Sequence, residues 1–134
     1  VQEPFSPADI IRSFIQCFND NRMQDALDHL AKDVFYHNVP LDPIIGREAT
    51  PAFMVKFDLG NSLLTEWEIL ALAVEGDIVL TERIDMFYHR SDGRREGIPI
   101  MGSFRVPDGR ITEWRDYFDL AAFQKLSVLH TPQT

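Results

Sequence analysis

At Leu63 the sequence changes its period, and that change restricts the fold more than any other feature. Upstream, apolar residues recur three and four positions apart, and Ile10, Ile11, Phe14, Ile15 and Phe18 form one helical stripe. Ser6 precedes the stripe as a cap, with Pro7 in the first turn and Asp9 completing a capping box. Met23, Ala26, Leu27 and Leu30 fit a second, shorter helix. Downstream, the pattern alternates. Leu63, Thr65, Trp67, Ile69, Ala71 and Ala73 share one face of a long strand, with Glu66 and Glu68 on the other. Turns at Glu75-Gly76-Asp77, Ser91-Asp92-Gly93 and Pro107-Asp108-Gly109 then divide strands over 78–88, 96–106 and 110–117.

Between the two regimes, 34–37 reads as a short strand ended by Asn38-Val39-Pro40 and by Pro43. The stretch 46–56 reads as a third helix, with Pro51 in its first turns or at a kink. Asp119 caps a closing helix that carries Leu120, Ala121 and Phe123. Helices first and strands second predict an α+β domain, a meandering antiparallel sheet with helices on one face. A sheet curled against helices makes a cone with an apolar interior, a shape that suits a pocket. With 134 residues, a single domain over 1–134 is expected.

Charge narrows the partners. Thirteen basic against 21 acidic residues give −8, and no basic stretch interrupts the acidity. Neither nucleic acid nor an anionic membrane is expected as a partner. No apolar run approaches the roughly 18 residues that a bilayer demands. Cys17 is the single cysteine, so no intramolecular disulfide forms, and a reduced, cytoplasmic setting is expected. Val-Gln-Glu-Pro at the start lacks a basic region followed by an apolar core, and no signal peptide is expected there.

The informative residues are polar ones on strand faces that should look inward. Alternation puts Val79, Thr81, Arg83, Asp85 and Phe87 together, and Thr112, Trp114, Asp116 and Phe118 share a face at the other end of the sheet. Carboxylates among Val, Trp and Phe are costly unless paired, and Arg83 suits both Asp85 and Asp116. The same pattern also fits a structural ion pair, or a solvated face if the strand faces are reversed. Glu82 and Glu113, on the opposite faces, leave those alternatives open.

A third segment adds Tyr36-x-Asn38, both residues on one side of the short strand. With Arg83-x-Asp85 and with Asp116 inside Trp114-Arg115-Asp116-Tyr117-Phe118-Asp119, the chain resembles the limonene-1,2-epoxide hydrolase family, from about Ser6 to Phe123. That resemblance implies an NTF2-like cone, a curved mixed or antiparallel sheet with N-terminal helices on its concave face. It implies that Asp116 acts as general base on a water also held by Tyr36 and Asn38. Asp85 would be the general acid that protonates the epoxide oxygen, and Arg83 would bridge the two carboxyls. The reaction would be a one-step hydration to a vicinal diol, without cofactor or covalent intermediate. A homodimer is expected too, through an outer sheet face carrying Trp67 and Ile69.

The chemistry needs this arrangement for its own reasons. An epoxide's leaving oxygen stays attached and develops alkoxide charge, so an adjacent acid lowers the barrier directly. One carboxyl must then be neutral and the other ionised, and burial with mutual repulsion favours that split. Phe87, Phe118, Ile98 and Ile100 on the strands, with Met23, Leu27 and Phe123 on the helices, are expected to line an apolar pocket for a cyclic or terpene-type epoxide. Each of them taken singly also fits ordinary core.

Other groups are set aside. His29, His37, His89 and His130 show no metal-ligand spacing, and Ser62 and Ser103 have no activating motif. Cys17 is expected in the core, and Gly93-Arg94-Arg95 at a solvated hairpin tip. No glycine-rich phosphate loop is present, so no nucleotide cofactor is expected. Two rival classes share the pattern: a ketosteroid-isomerase-like or polyketide-cyclase-like enzyme, and a non-catalytic NTF2-like binding or dimerisation module.

Overall fold

The computed structural model describes residues 6–126; the readings of the N-terminal Val-Gln-Glu-Pro and of His130 lie outside them. Helix α1 (Pro7–Asn19) begins where the cap predicts, with Ser6 Oγ accepting from the Asp9 amide at 3.2 Å. Its stripe of Ile10, Ile11, Phe14, Ile15 and Phe18 is buried, and Cys17 with it. Helix α2 (Met23–Leu27) packs beside α1.

The sheet consists of β1 (Leu30–Asn38), β2 (Ile44–Ile45), β3 (Leu63–Glu75), β4 (Ile78–His89), β5 (Arg95–Arg105) and β6 (Ile111–Tyr117). Their order across it is β2-β1-β6-β5-β4-β3. Strands β3 to β6 form the expected antiparallel meander. The sheet as a whole is mixed, because β1 joins β6 in parallel. Tight turns impose antiparallel pairing only between successive strands, and the whole meander separates these two.

Other expectations need correction. Leu30 opens β1 and does not close α2, so the first strand is twice as long as 34–37 suggests. The third helix is only α3 (Pro51–Val55). Gly46, with φ +100°, cannot enter a helix, and the chain turns before Pro51 starts one. On β3, a register shift between Ile69 and Ala71 breaks the alternation. Leu63, Thr65 and Trp67 therefore face the core, while Ala71 and Ala73 do not continue that buried row. Trp67 is buried against Phe18, with ring centroids 4.6 Å apart, so it is no part of an outer docking face.

Helix α1 lies against the concave side of the sheet, where Phe14 meets Trp114 edge to face at 4.9 Å. That side also carries Val79, Thr81, Arg83 and Asp85, all buried, while Leu80 and Glu82 point outward. The face ambiguity is resolved: the charged pair looks inward. Helix α4 (Leu120–Gln124) follows β6, capped as expected by Asp119, whose Oδ1 accepts from the Ala121 amide at 3.0 Å. Among the described residues no helix is long and apolar enough to cross a membrane.

Candidate active site

Three adjacent strands and one parallel neighbour bring the polar residues together. On β4, the two-residue period stacks Thr81, Arg83 and Asp85 in one row. The Arg83 guanidinium donates from Nε to Asp85 Oδ1 at 3.0 Å and from Nη2 to Asp85 Oδ2 at 2.9 Å. Nη2 also reaches Asp116 Oδ2 at 3.1 Å, and Nη1 donates to Thr81 Oγ1 at 3.1 Å. Tyr36 and Asn38 arrive through the parallel pairing, opposite Trp114 and Asp116 respectively. Tyr36 stacks on Trp114 with ring centroids 4.0 Å apart, which fixes the plane of its phenol.

Burial dominates the electrostatics. Arg83 is fully buried and Asp85 and Asp116 nearly so. The guanidinium carbon sits 5.9 Å from the ring centroids of both Trp67 and Phe104. Burial opposes the Arg83 charge, but Asp116 and Asp85 outweigh it and hold its pKa above the ordinary value. The Asp85 carboxyl is pushed up to about 6, chiefly by burial; Arg83 opposes that rise and Asp116 adds to it. Burial first, then Asp116, raises the Tyr36 phenol far above its usual range, so it stays a neutral hydroxyl. Asp116 Oδ1 is a buried carboxylate oxygen with no hydrogen-bond partner among the described residues. The site thus combines an acid biased toward its neutral form with an uncommitted carboxylate oxygen beside it.

These groups form the polar floor of a cavity of about 560 Å³, its open mouth included. Of the residues singled out in the sequence, Tyr36, Asn38, Asp85, Asp116, Phe87, Ile98, Ile100, Phe118 and Phe123 line it. Arg83 lies beneath the floor, behind the two carboxyls it holds. Met23 and Leu27 are corrections. Leu27 is packed in the core, and Met23 borders a separate small cavity with Phe18, Asn21 and Thr65. Helix α2 is too short and too closely packed on α1 to reach the site. The sequence reading missed Phe53, Met54, Phe57, Leu59, Trp67 and Leu126, which also line the cavity. Phe53 and Met54 carried a signal, since they are large apolar residues in a stretch read as helical. Among the described residues no three histidine, cysteine or acidic side chains gather as a metal site would require.

Fold and floor together define an NTF2-like cone with paired acids at the base of an apolar pocket. The model of the limonene-1,2-epoxide hydrolase catalytic domain matches residues 5–128, and the chain belongs to that family. It is 30% identical over 110 residues to the epoxide hydrolase EphG of Mycobacterium tuberculosis, covering 82% of this chain and 71% of that protein. The solved structure of an M. tuberculosis epoxide hydrolase of the same type superposes with a TM-score of 0.76 at 27% identity, over 98% of this chain and 100% of the other. A candidate polyketide cyclase from Xanthomonas campestris pv. campestris also superposes at 0.76, with 20% identity over 87% and 93% of the two chains. An NTF2-like protein of unknown function from Cytophaga hutchinsonii reaches 0.70 at 18% identity, over 93% and 100%. Those last two likenesses speak for the fold alone.

Proposed function

We propose that the protein hydrates a small apolar epoxide of cyclic or terpene type to a vicinal diol in one step. Asp116 acts as general base through Oδ1, taking a proton from a water that Tyr36 and Asn38 also hold. Asp85 is the general acid: it gives its proton to the oxirane oxygen as the C–O bond to the attacked carbon breaks. Arg83 fixes both carboxyls and stays charged throughout. Three groups converging on one water make it an oriented nucleophile, and the neutral acid meets alkoxide charge as it develops. The observation that carries the reading is Asp116 Oδ1, without a partner among the described residues, buried beside Tyr36 and Asn38 and across Arg83 from a carboxyl pushed up to about 6.

The test is a single turnover of limonene oxide and cyclohexene oxide in ¹⁸O-labelled water, with the diol read by mass spectrometry. Label in the first-turnover diol is expected. Unlabelled diol would show attack by an enzyme carboxylate, and no diol from either compound would favour an isomerase, a cyclase or a binding module on the same cone.

The homodimer expectation moves to other residues. Leu80, Met101 and Tyr117 are exposed neighbours on the outer face of β4, β5 and β6, flanked by Glu82 and Arg115. A second copy related by a twofold axis can match that apolar patch, and both charge signs, against itself. Met101→Glu is expected to shift the mass by light scattering from dimer to monomer.

A further inference from the structure

The apolar part of the cavity is built largely from aromatic rings. Seven of its 15 lining residues are aromatic, against 11% of the whole chain. The buried ones lie with the acids at the floor. Phe53, Phe57, Phe118 and Phe123 are only partly buried and form the more open end. They make one connected array. Phe53 meets Phe57 edge to face at 5.0 Å and lies near-parallel to Phe123 at 6.5 Å, while Phe118 and Phe123 are tilted at 5.2 Å. Phe53 in turn meets the Tyr36 ring edge to face at 6.2 Å, so the array runs from rim to floor.

Such a rim distinguishes ligands that a merely greasy wall would treat alike. A saturated and an aromatic ring of similar size bury similar apolar area. Only the aromatic ring adds the quadrupole interaction of edge-to-face or offset contact, worth roughly 0.5–1.5 kcal/mol beyond burial. Phenylalanines that leave part of their surface uncovered in a pocket are placed to collect it. We propose that the substrate class is an aryl-bearing epoxide, its ring seated among Phe53, Phe57, Phe118 and Phe123 and its oxirane between Asp85 and Asp116. This rests on the hydrolase reading and puts an aryl-bearing epoxide in place of the cyclic or terpene-type one.

The test compares (2,3-epoxypropyl)benzene with (2,3-epoxypropyl)cyclohexane. A methylene insulates the oxirane from the ring in both, so intrinsic reactivity is matched and only ring recognition differs. About fivefold or more in kcat/KM is expected in favour of the aryl compound, carried mainly by KM, since about 1 kcal/mol of ring interaction corresponds to that factor. Calorimetric binding to the Asp85→Asn variant, where turnover does not obscure the heat, should rank the two the same way. Phe53→Leu should remove most of the preference. Diol formed equally from both, or faster from the cyclohexyl compound, would overturn the aryl assignment and leave the hydrolase intact. No diol from either, while limonene oxide or cyclohexene oxide is hydrated, would overturn the aryl assignment alone; no diol from any of the four would remove the hydrolase reading, and the calorimetric ranking would still decide ring preference. Absence of binding by either overturns the proposal.

Discussion

Arg83 clamps Asp85 through two parallel hydrogen bonds, Nε to Oδ1 at 3.0 Å and Nη2 to Oδ2 at 2.9 Å. A side chain two positions along the same strand can do this because both project to one face. The fork occupies both oxygens of Asp85, whereas Asp116 has only Oδ2 engaged and keeps Oδ1 uncommitted. That asymmetry separates the roles proposed for two chemically identical groups. It also sets the cost of disturbing them. Replacing Arg83 by Ala leaves two buried carboxyls without their cation, a change expected to cost about 3–5 kcal/mol. Urea unfolding of Arg83→Ala should show a lower midpoint at unchanged slope, along with lost activity.

Asp85→Asn and Asp116→Asn keep shape and volume but remove the proton donor in one case and the base in the other. Each is expected to lower kcat by about 10²–10⁴-fold, with the far-ultraviolet circular dichroism unchanged. Retention of near-wild-type turnover by either variant would refute its assigned role.

Gly102 faces Thr81 and Asp116 across the sheet, and a Cβ built there would overlap Arg83 Nη1 and Thr81 Oγ1. The guanidinium therefore occupies the space that a side chain at Gly102 would take. Gly102→Ala should displace it, at an overpacking cost of about 1–3 kcal/mol. Thr81 is fully buried and accepts from Nη1 at 3.1 Å. Thr81→Val strands that N–H and should lower kcat about tenfold while leaving KM near wild type. Thr81→Ser, which restores the acceptor, should recover most of the loss. A KM effect alone, or no rescue by Ser, would mark Thr81 as ordinary packing.

The polar floor was legible because it rests on short-range rules. Arg83 and Asp85 share a face by strand period, and Asp116 faces inward with Trp114 by the same count. Tyr36 and Asn38 share a side of the short strand by the same count, but their role comes from the family resemblance, and their meeting with Asp116 depends on a parallel pairing that no local pattern announces. The pocket walls were harder. Phe87, Ile98 and Ile100 follow the strand parity of the floor and were found. Phe53 and Phe57 sit on and just after a short helix whose start is set by Gly46 and Pro51, so helical periodicity had too few turns to orient them. Met23 and Leu27 fall outside the pocket for the converse reason: their apolar face is satisfied by the core around α1. Alternation groups Trp67 with Leu63 and Thr65, which share its buried face, but alternation alone does not say which side the helices cover, and the expected outer placement is the wrong side.

The raised Asp85 carboxyl gives activity and stability pH dependences of known sign. An unfolded aspartate titrates near 3.9, whereas burial in the folded site moves Asp85 up to about 6. Between those values the native state holds more protons than the unfolded state, so the contribution of this group to stability falls as pH rises. It is fully present below about 4 and lost as pH passes through about 6. Unfolding free energies measured from pH 4 to 7 should therefore decline less steeply in Asp85→Asn than in the wild type. Catalysis has the same sense, since the general acid must be protonated. For the wild type, kcat/KM should show a basic limb, falling about tenfold per pH unit above about 6. A rate that rises through pH 6 to 7 would reverse the acid assignment and make Asp85 the base.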